Sequence, residues 1–144
     1  MTRNPGDGVA LPLEDGFHLM RRVLQEHAAE WQARVPELTK PQFAILSVIA
    51  RDPGVDQATA GERAAIDKST LAAMLRRLEE RGLVARSVDP QDRRRQLLEL
   101  TEHGTSALHA ASPLVREAEE RMLSRLSASE RQRLYALLRK LSAG

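Results

Sequence analysis

The sequence predicts a mainly helical protein that carries one small β-hairpin. Apolar residues recur at helical spacing over most of the chain, whereas only residues 83–89 and 96–101 have the pattern of short strands. Between those strands lies the turn sequence DPQDRRR, in which Pro90 favours a tight reversal. At 144 residues, 42% of them hydrophobic, the chain is expected to form a single domain with a small core.

The first helix is predicted from Leu13 to about Arg34. Its apolar stripe is formed by Phe17, Met20, Leu24, Ala28 and Trp31. Arg21 and His27 intrude on this stripe. A positive charge on a buried stripe requires a partner, because an unpaired buried charge is costly. For Arg21 that partner is either a glutamate from another helix or subunit, or the carboxylate of a ligand.

Three further helices are predicted over residues 39–54, 56–65 and 67–82. Each has a start signal: a capping box at Thr39-Lys40-Pro41-Gln42, then Asp56 and Asp67 as caps. Gly82 is a natural stop for the third helix. Three helices followed by a hairpin have the order of a winged helix-turn-helix, so residues 39–101 are predicted to form that module.

The helix after Asp67 has two distinct faces. Leu71, Leu75 and Leu78 form a stripe that should be buried. The opposite face combines hydroxyls, a small side chain and guanidinium groups, which suits the N-terminal half of a helix laid in the major groove of DNA. An ordinary amphipathic helix with a solvated face is the alternative. The candidate DNA contacts are Lys68, Ser69, Thr70, Ala73, Arg76 and Arg77.

The hairpin tip holds three consecutive arginines, Arg93, Arg94 and Arg95. A basic loop of this kind fits a narrow minor groove, where the negative potential is greatest. Asp92 is placed to hold one of the guanidinium groups. Three arginines alone indicate no more than a solvated charge run, but a basic tip directly after a candidate recognition helix is more specific than either feature.

The end helices are predicted to mediate dimerisation. Thr101 should cap a helix that runs towards Leu126 and is kinked or divided at Pro113, and Ser127 opens a last helix with a second capping box. The apolar faces of residues 13–36 and 102–142 are too extensive for one small module to cover. They favour an intersubunit bundle with twofold symmetry, and intramolecular packing of three helices is the alternative.

The composition excludes several other classes of protein. There is no cysteine, so disulfides, thiol redox sensing and cysteine zinc sites are ruled out. No apolar run is long enough to span a membrane, and residues 1–12, expected to be a flexible arm, lack the core of a signal peptide. A cytoplasmic location is therefore expected. The four histidines follow no metal or catalytic spacing, so we expect no metal, no cofactor and no enzymatic activity.

The run DKSTLAAMLRRLEERGLVARSVDPQDRRRQLLELTEHG resembles the MarR family of bacterial regulators. The features that carry the resemblance are the GLV after the recognition helix, the wing with Asp92-Arg93-Arg94, and the motif Leu100-Thr101-Glu102-His103-Gly104. The resemblance implies a homodimeric winged-helix repressor that binds palindromic double-stranded DNA and is usually released by a ligand. A helical interaction or architectural DNA-binding module without an effector is the alternative.

A narrower resemblance concerns the ligand. The segments RRVLQEHAAEW and GVDQATAGERAAIDKSTLA are similar to the branch of the family that responds to small aromatic carboxylates, including protocatechuate-type phenolic acids. The resemblance implies that Arg21 pairs with the ligand carboxylate and that His27 lies in the same pocket, and Trp31 is expected to cover the ring. Other aromatic acids and coenzyme A thioesters are alternatives.

Overall fold

The structure, a computed structural model, describes residues 15–143. The flexible arm expected over residues 1–12 and the helix start expected at Leu13 lie outside these residues. The elements of the described chain are α1 (Gly16–Arg34), α2 (Lys40–Arg51), β1 (Val55–Asp56), α3 (Gln57–Ala64), α4 (Lys68–Glu80), β2 (Val84–Val88), β3 (Gln96–Leu100), α5 (Glu102–Leu123) and α6 (Ala128–Ser142).

The predicted helix starts are confirmed where capping chemistry defined them. Thr39 Oγ1 accepts the N–H of Gln42 at 3.2 Å, and Gln42 Oε1 accepts the N–H of Thr39 at 3.0 Å, which completes the capping box of α2. Ser127 and Glu130 form the same reciprocal pair at the start of α6. Each box satisfies backbone N–H groups that a helix start otherwise leaves without partners.

The hairpin is confirmed, and a third strand that the sequence did not reveal joins it. The strands β2 and β3 pair antiparallel, from Val84 opposite Leu100 to Val88 opposite Gln96. The strand β1 pairs with the other edge of β3, which gives the order β1-β3-β2. Because β1 is only two residues long, it shows no detectable alternation of apolar and polar side chains.

The sequence predicts a kink or a division of the helix at Pro113; α5 runs through this residue without a break, so the division is wrong. Proline removes one backbone donor, but the helix face that includes Leu108, Ala111 and Val115 is buried on both sides of it. The free energy gained by burying this face offsets the loss of one backbone hydrogen bond at Pro113, so the two halves remain one helix. The helix also ends at Leu123 rather than near Leu126.

The chain forms two compact units. The central unit spans Val35–Glu117, and the terminal unit contains residues 15–34 and 118–143 of the described chain. The helix α5 belongs to both, whereas residues 102–142 are predicted from the sequence to lie in the dimerisation region as a whole. The central unit contains the largest fully buried side chains, namely Ile45, Leu46, Ile49, Leu75, Leu78, Leu83 and Leu98.

Two helical glycines of the central unit lie where a neighbouring element packs closely against the helix. A Cβ at Gly61 of α3 would lie 2.8 Å from Leu71 Cδ2 of α4, so the two helices cross closely. A Cβ at Gly104 of α5 would lie 2.0 Å from the carbonyl oxygen of Leu83. Thr101 Oγ1 accepts the N–H of Gly104 at 2.9 Å, which confirms Thr101 as the cap of α5.

The terminal unit leaves much of its apolar surface uncovered. The α1 side chains of Phe17 and Leu24 are 77% and 61% exposed, and Trp31 is the buried residue of that helix. No residue of α6 is buried. Ion pairs join the three helical segments of this unit: Arg125 with Glu26, Arg121 with Glu30, and Arg131 with Glu120.

Candidate DNA interface and effector site

The cap of α4 fixes two hydroxyl groups of the candidate recognition face. Asp67 Oδ1 accepts the N–H of Thr70 and the hydroxyl of Ser69, both at 2.9 Å, and Asp67 Oδ2 accepts the Thr70 hydroxyl at 2.6 Å. These hydrogen bonds, with the Thr70 hydroxyl foremost, lower the pKa of Asp67 from 3.8 to about 2. Because both hydroxyl protons point to Asp67, Ser69 and Thr70 present acceptor lone pairs to a ligand.

The remaining candidates on α4 lie on its exposed side. Lys68, Ala73, Arg76 and Arg77 are all exposed, whereas the predicted stripe Leu71, Leu75 and Leu78 is buried. Within residues 15–143, no carboxylate lies at ion-pair distance from Lys68, Arg76 or Arg77. Their charges are therefore available to the phosphates and base edges of DNA.

At the wing tip, Asp92 holds Arg94. Asp92 Oδ1 accepts both the backbone N–H and the Nε of Arg94 at 3.1 Å, and the Arg94 side chain remains 91% exposed. The Arg94 guanidinium lowers the pKa of Asp92. The neighbouring Arg93 is exposed and forms no ion pair with a residue in the described part of the chain. The tip thus presents two guanidinium groups outward, one of them oriented by Asp92.

The third arginine of the tip has a different environment. Arg95 Nη2 donates to Asp56 Oδ2 at 2.9 Å, and Arg95 Nη1 lies 3.6 Å from Asp89 Oδ2. Asp56 also caps α3: its Oδ1 accepts the Thr59 N–H at 3.0 Å, and its Oδ2 accepts the Thr59 hydroxyl at 2.7 Å. The Thr59 backbone bond, then its hydroxyl, and to a lesser extent Arg95, lower the pKa of Asp56 from 3.8 to about 2.

Two arginines of the hairpin pair with carboxylates that the sequence does not predict. Arg95 and Asp56 are separated by 39 residues. Arg86 of β2 donates through Nε to Glu79 Oε2 of α4 at 2.7 Å, which ties the hairpin to the candidate recognition helix. No local pattern links either pair, because the pairing of β3 with β1 and the packing of β2 beside α4 bring them together.

A cleft of about 500 Å³ lies between α3, the start of α4 and the wing. Its lining includes Lys68, Arg94, and Arg95 paired with Asp56, together with Gln57, Ile66 and Leu71. The Oε1 atom of Gln57 is buried and has no hydrogen-bond partner among the described residues. The cleft is thus lined both by Lys68 of α4 and by Arg94 of the wing, which are predicted DNA contacts.

A second candidate site is a shallow groove along α1. It is lined by Phe17, Met20, Arg21, Leu24, Gln25 and Ala28. Arg21 is exposed, and within the described chain it forms no ion pair. An apolar groove with one guanidinium is suited to an apolar ligand that carries a carboxylate.

The structure does not bring the three predicted ligand residues into that one groove. His27 and Trp31 contact each other edge to face, with ring centroids 5.9 Å apart, and neither lines the groove. Trp31 is only 7% exposed, so most of its ring is already covered. Of the three predicted ligand residues, Arg21 alone lies in the accessible apolar groove of α1.

None of the helices within residues 15–143 is both long enough and apolar enough to cross a membrane. In the same residues, no three histidine or acidic side chains cluster in a way that would hold a metal ion.

The fold and these surfaces define a winged helix-turn-helix transcriptional regulator. The profile of the MarR family matches residues 37–95. The transcriptional regulator HosA of Escherichia coli is 45% identical over 125 residues, which cover 87% of this chain and 93% of that protein. The chain belongs to the MarR family, whose members are transcriptional regulators rather than enzymes.

Two solved structures are closely similar over nearly the whole chain. PcaV from Streptomyces coelicolor, in complex with its natural ligand, has a TM-score of 0.88 and 36% identity, with 94% of this chain and 97% of that chain covered. BpsR from Bordetella bronchiseptica, whose DNA binding is regulated by 6-hydroxynicotinic acid, has a TM-score of 0.90 and 32% identity, with 95% and 99% covered. The predicted fold class and family are thereby confirmed.

Proposed function

We propose that this MarR-type regulator is a homodimeric repressor that binds a palindromic operator and is released by a small aromatic carboxylate. The observation that carries the DNA-binding part is the set of exposed cations on α4 and the wing tip. Lys68, Arg76, Arg77 and Arg93 face solvent without an ion-pair partner in the described chain. Such charges release counterions from the DNA backbone on binding, which makes affinity high and salt-sensitive.

The recognition helix contributes sequence discrimination. Arg76 and Arg77 have the two-pronged geometry that reads guanine in the major groove, and Ala73 permits close approach of the helix. Ser69 and Thr70 donate their hydroxyl protons to Asp67, so they read donors such as the amino groups of adenine and cytosine. Arg94, held by Asp92, supplies the minor-groove contact of the wing.

The uncovered helices of the terminal unit support a dimer of identical chains. Three leucines of α6 are 41–71% exposed, namely Leu137, Leu138 and Leu141. Phe17 and Leu24 of α1 are exposed as well. Large apolar side chains exposed along two helices favour a partner that covers them. A second copy related by a twofold axis would place two recognition helices on a palindrome.

The effector proposal rests on Arg21 and on the similarity to BpsR. A hydroxylated aromatic acid has a planar apolar ring for the α1 groove and a carboxylate for the guanidinium of Arg21. His27 and Trp31 remain proposed ligand residues, for a pocket that a second chain would have to complete. Ligand binding releases DNA only if the ligand prefers the dimer geometry that does not fit the operator.

The test begins with selection of a preferred duplex from a random-sequence library by the purified full-length protein. Binding of that duplex is then measured against salt for the wild type, Arg77→Ala and Arg94→Ala. We expect Arg77→Ala to relax the preference at one base pair by about 1–3 kcal/mol. Arg94→Ala should weaken all sequences and lower the salt slope by about 1. If no sequence is enriched, or both variants bind as the wild type does, the assigned surface is not the DNA interface.

A further inference from the structure

The third wing arginine differs from its two neighbours in what surrounds it. Arg95 stands at the end of the loop that joins β2 to β3, and its guanidinium lies between the carboxylates of Asp56 and Asp89. Those carboxylates are only 16% and 14% exposed, whereas the Arg94 side chain at the tip is 91% exposed. The Arg95 side chain is itself 50% exposed, so its guanidinium lies between these two carboxylates and solvent and not at the free tip.

The local charge argues against a direct role for Arg95 in binding phosphate. One guanidinium beside two carboxylates presents a net negative group, so it offers no surplus positive charge to DNA. If Arg95 moved to a phosphate, Asp56 and Asp89 would lose their shared cation while remaining largely shielded from water. Separating a partly desolvated pair in this way is unfavourable.

The same contacts connect the wing to the helix that supports α4. Asp56 Oδ2 accepts from both Arg95 and the Thr59 hydroxyl, so one carboxylate joins the end of the loop to the first turn of α3. The helix α3 in turn crosses α4 closely, at Gly61 and Leu71. A movement of the wing away from α3 would therefore break the Arg95–Asp56 bond.

The backbone of Arg95 also organises the loop. Its N–H donates to the carbonyl of Asp92, and its carbonyl accepts the N–H of Asp89, both at 2.9 Å. Asp92 is the residue that orients Arg94. Anchoring the side chain of Arg95 consequently fixes the loop that carries the exposed guanidinium.

We propose that Arg95 is a positioning residue that latches the wing to the start of α3 through Asp56 and so presents Arg94 to DNA, an inference that rests on the proposed DNA-binding function. It makes no phosphate contact itself. This assignment departs from the sequence-based expectation that all three arginines contact DNA.

The discriminating variant is Asp56→Asn. Asparagine is as good a helix cap as aspartate, so the start of α3 is retained, but the charge that holds Arg95 is removed. If Arg95 contacted DNA, freeing it and removing a nearby negative charge would strengthen binding. If Arg95 is a latch, Asp56→Asn weakens binding instead. The two roles thus predict opposite signs for the same substitution.

The experiment compares wild type, Arg95→Ala, Asp56→Asn, the double variant and Arg93→Ala on the selected duplex over a range of salt. We expect Arg95→Ala and Asp56→Asn to lower affinity with unchanged salt slope, because the freed loop still brings Arg94 to DNA but must be ordered on binding. The double variant should be no weaker than either single variant. Arg93→Ala is the control for the loss of one positive charge from the wing, because Arg93 forms no ion pair with a carboxylate in the described chain. A slope lowered by about 1 in Arg95→Ala, or tighter binding by Asp56→Asn, would overturn the proposal.

A second measurement uses the protein without DNA. Hydrogen exchange at the amides of Asp89 and Arg95 should accelerate in Arg95→Ala and Asp56→Asn but not in Arg93→Ala. Unchanged exchange in the first two variants would show that the bridge does not hold the loop. If the wild type selects no duplex, the proposed function fails, and the exchange result alone decides whether Arg95 is a latch.

Discussion

Replacing Gly104 by alanine should destabilise the protein, although alanine is ordinarily the better helix residue. The added Cβ would lie 2.0 Å from the carbonyl oxygen of Leu83, and real Cβ contacts are essentially never shorter than 3.0 Å. The contacted atom is backbone at the base of the wing, where Leu83 is buried. It also accepts the N–H of Thr101 at 3.1 Å, so moving it strains the junction of hairpin and helix.

The magnitude follows from three terms. Overpacking of this kind costs about 1–3 kcal/mol, and a weakened internal hydrogen bond costs about 1 kcal/mol. The intrinsic preference of helices for alanine over glycine offsets these costs by roughly 1 kcal/mol. A net loss of about 1–3 kcal/mol corresponds to a fall in Tm of about 3–10 °C for a chain of this size.

The assay is thermal unfolding with two matched controls. Gly16→Ala adds a methyl group where nothing lies within 4 Å, so its Tm should match or exceed that of the wild type. Gly61→Ala meets the end of the flexible Leu71 side chain at 2.8 Å and should fall between the other two. A Gly104→Ala protein that melts as Gly16→Ala does would refute the close approach at Leu83 and its role in fixing the wing.

Three further outcomes are expected. Arg21→Ala should lose the thermal shift produced by 6-hydroxynicotinate or hydroxybenzoates while Arg22→Ala keeps it, and equal shifts in both would exclude Arg21 from the effector site. Removal of residues 127–144 should convert the proposed dimer to a monomer in sedimentation, and a full-length protein that is monomeric at micromolar concentration would contradict the proposed assembly. The caps Asp56 and Asp67 have pKa values of about 2 against an ordinary 3.8, so their stabilisation is complete above about pH 5 and is lost as the pH falls from 3.8 towards 2. Asp67→Asn should therefore show a smaller fall in Tm over that range than the wild type, and an equal fall would argue against the cap as its source.

The helix starts could be read from the sequence because their chemistry is local. A capping box needs only residues three apart, as at Thr39 and Gln42, and an aspartate cap reaches only the next turn, as at Asp67 and Thr70. The same holds for the wing tip, where Asp92 and Arg94 are two residues apart. Interactions of such short range leave a signature in the order of residues.

The sequence did not predict features that depend on distant segments meeting. The strand β1 exists because Val55 lies beside Leu98, and the continuity of α5 through Pro113 depends on burial of its apolar face. The sequence also did not predict that the apolar stripe of α1 is exposed in the single chain. The periodicity of apolar residues identifies an apolar face but not what covers it.

The sequence by itself determined the winged helix-turn-helix, its capping residues and the basic surface of α4 and the wing. Only the tertiary structure decided which carboxylates Arg86 and Arg95 pair with. Three consecutive arginines are equivalent in sequence, but antiparallel pairing of β3 with β1 brings Arg95 to Asp56 and leaves Arg94 at the tip. The number of arginines can be read from the sequence. Whether a given guanidinium is free to bind DNA depends on which carboxylates the fold places beside it.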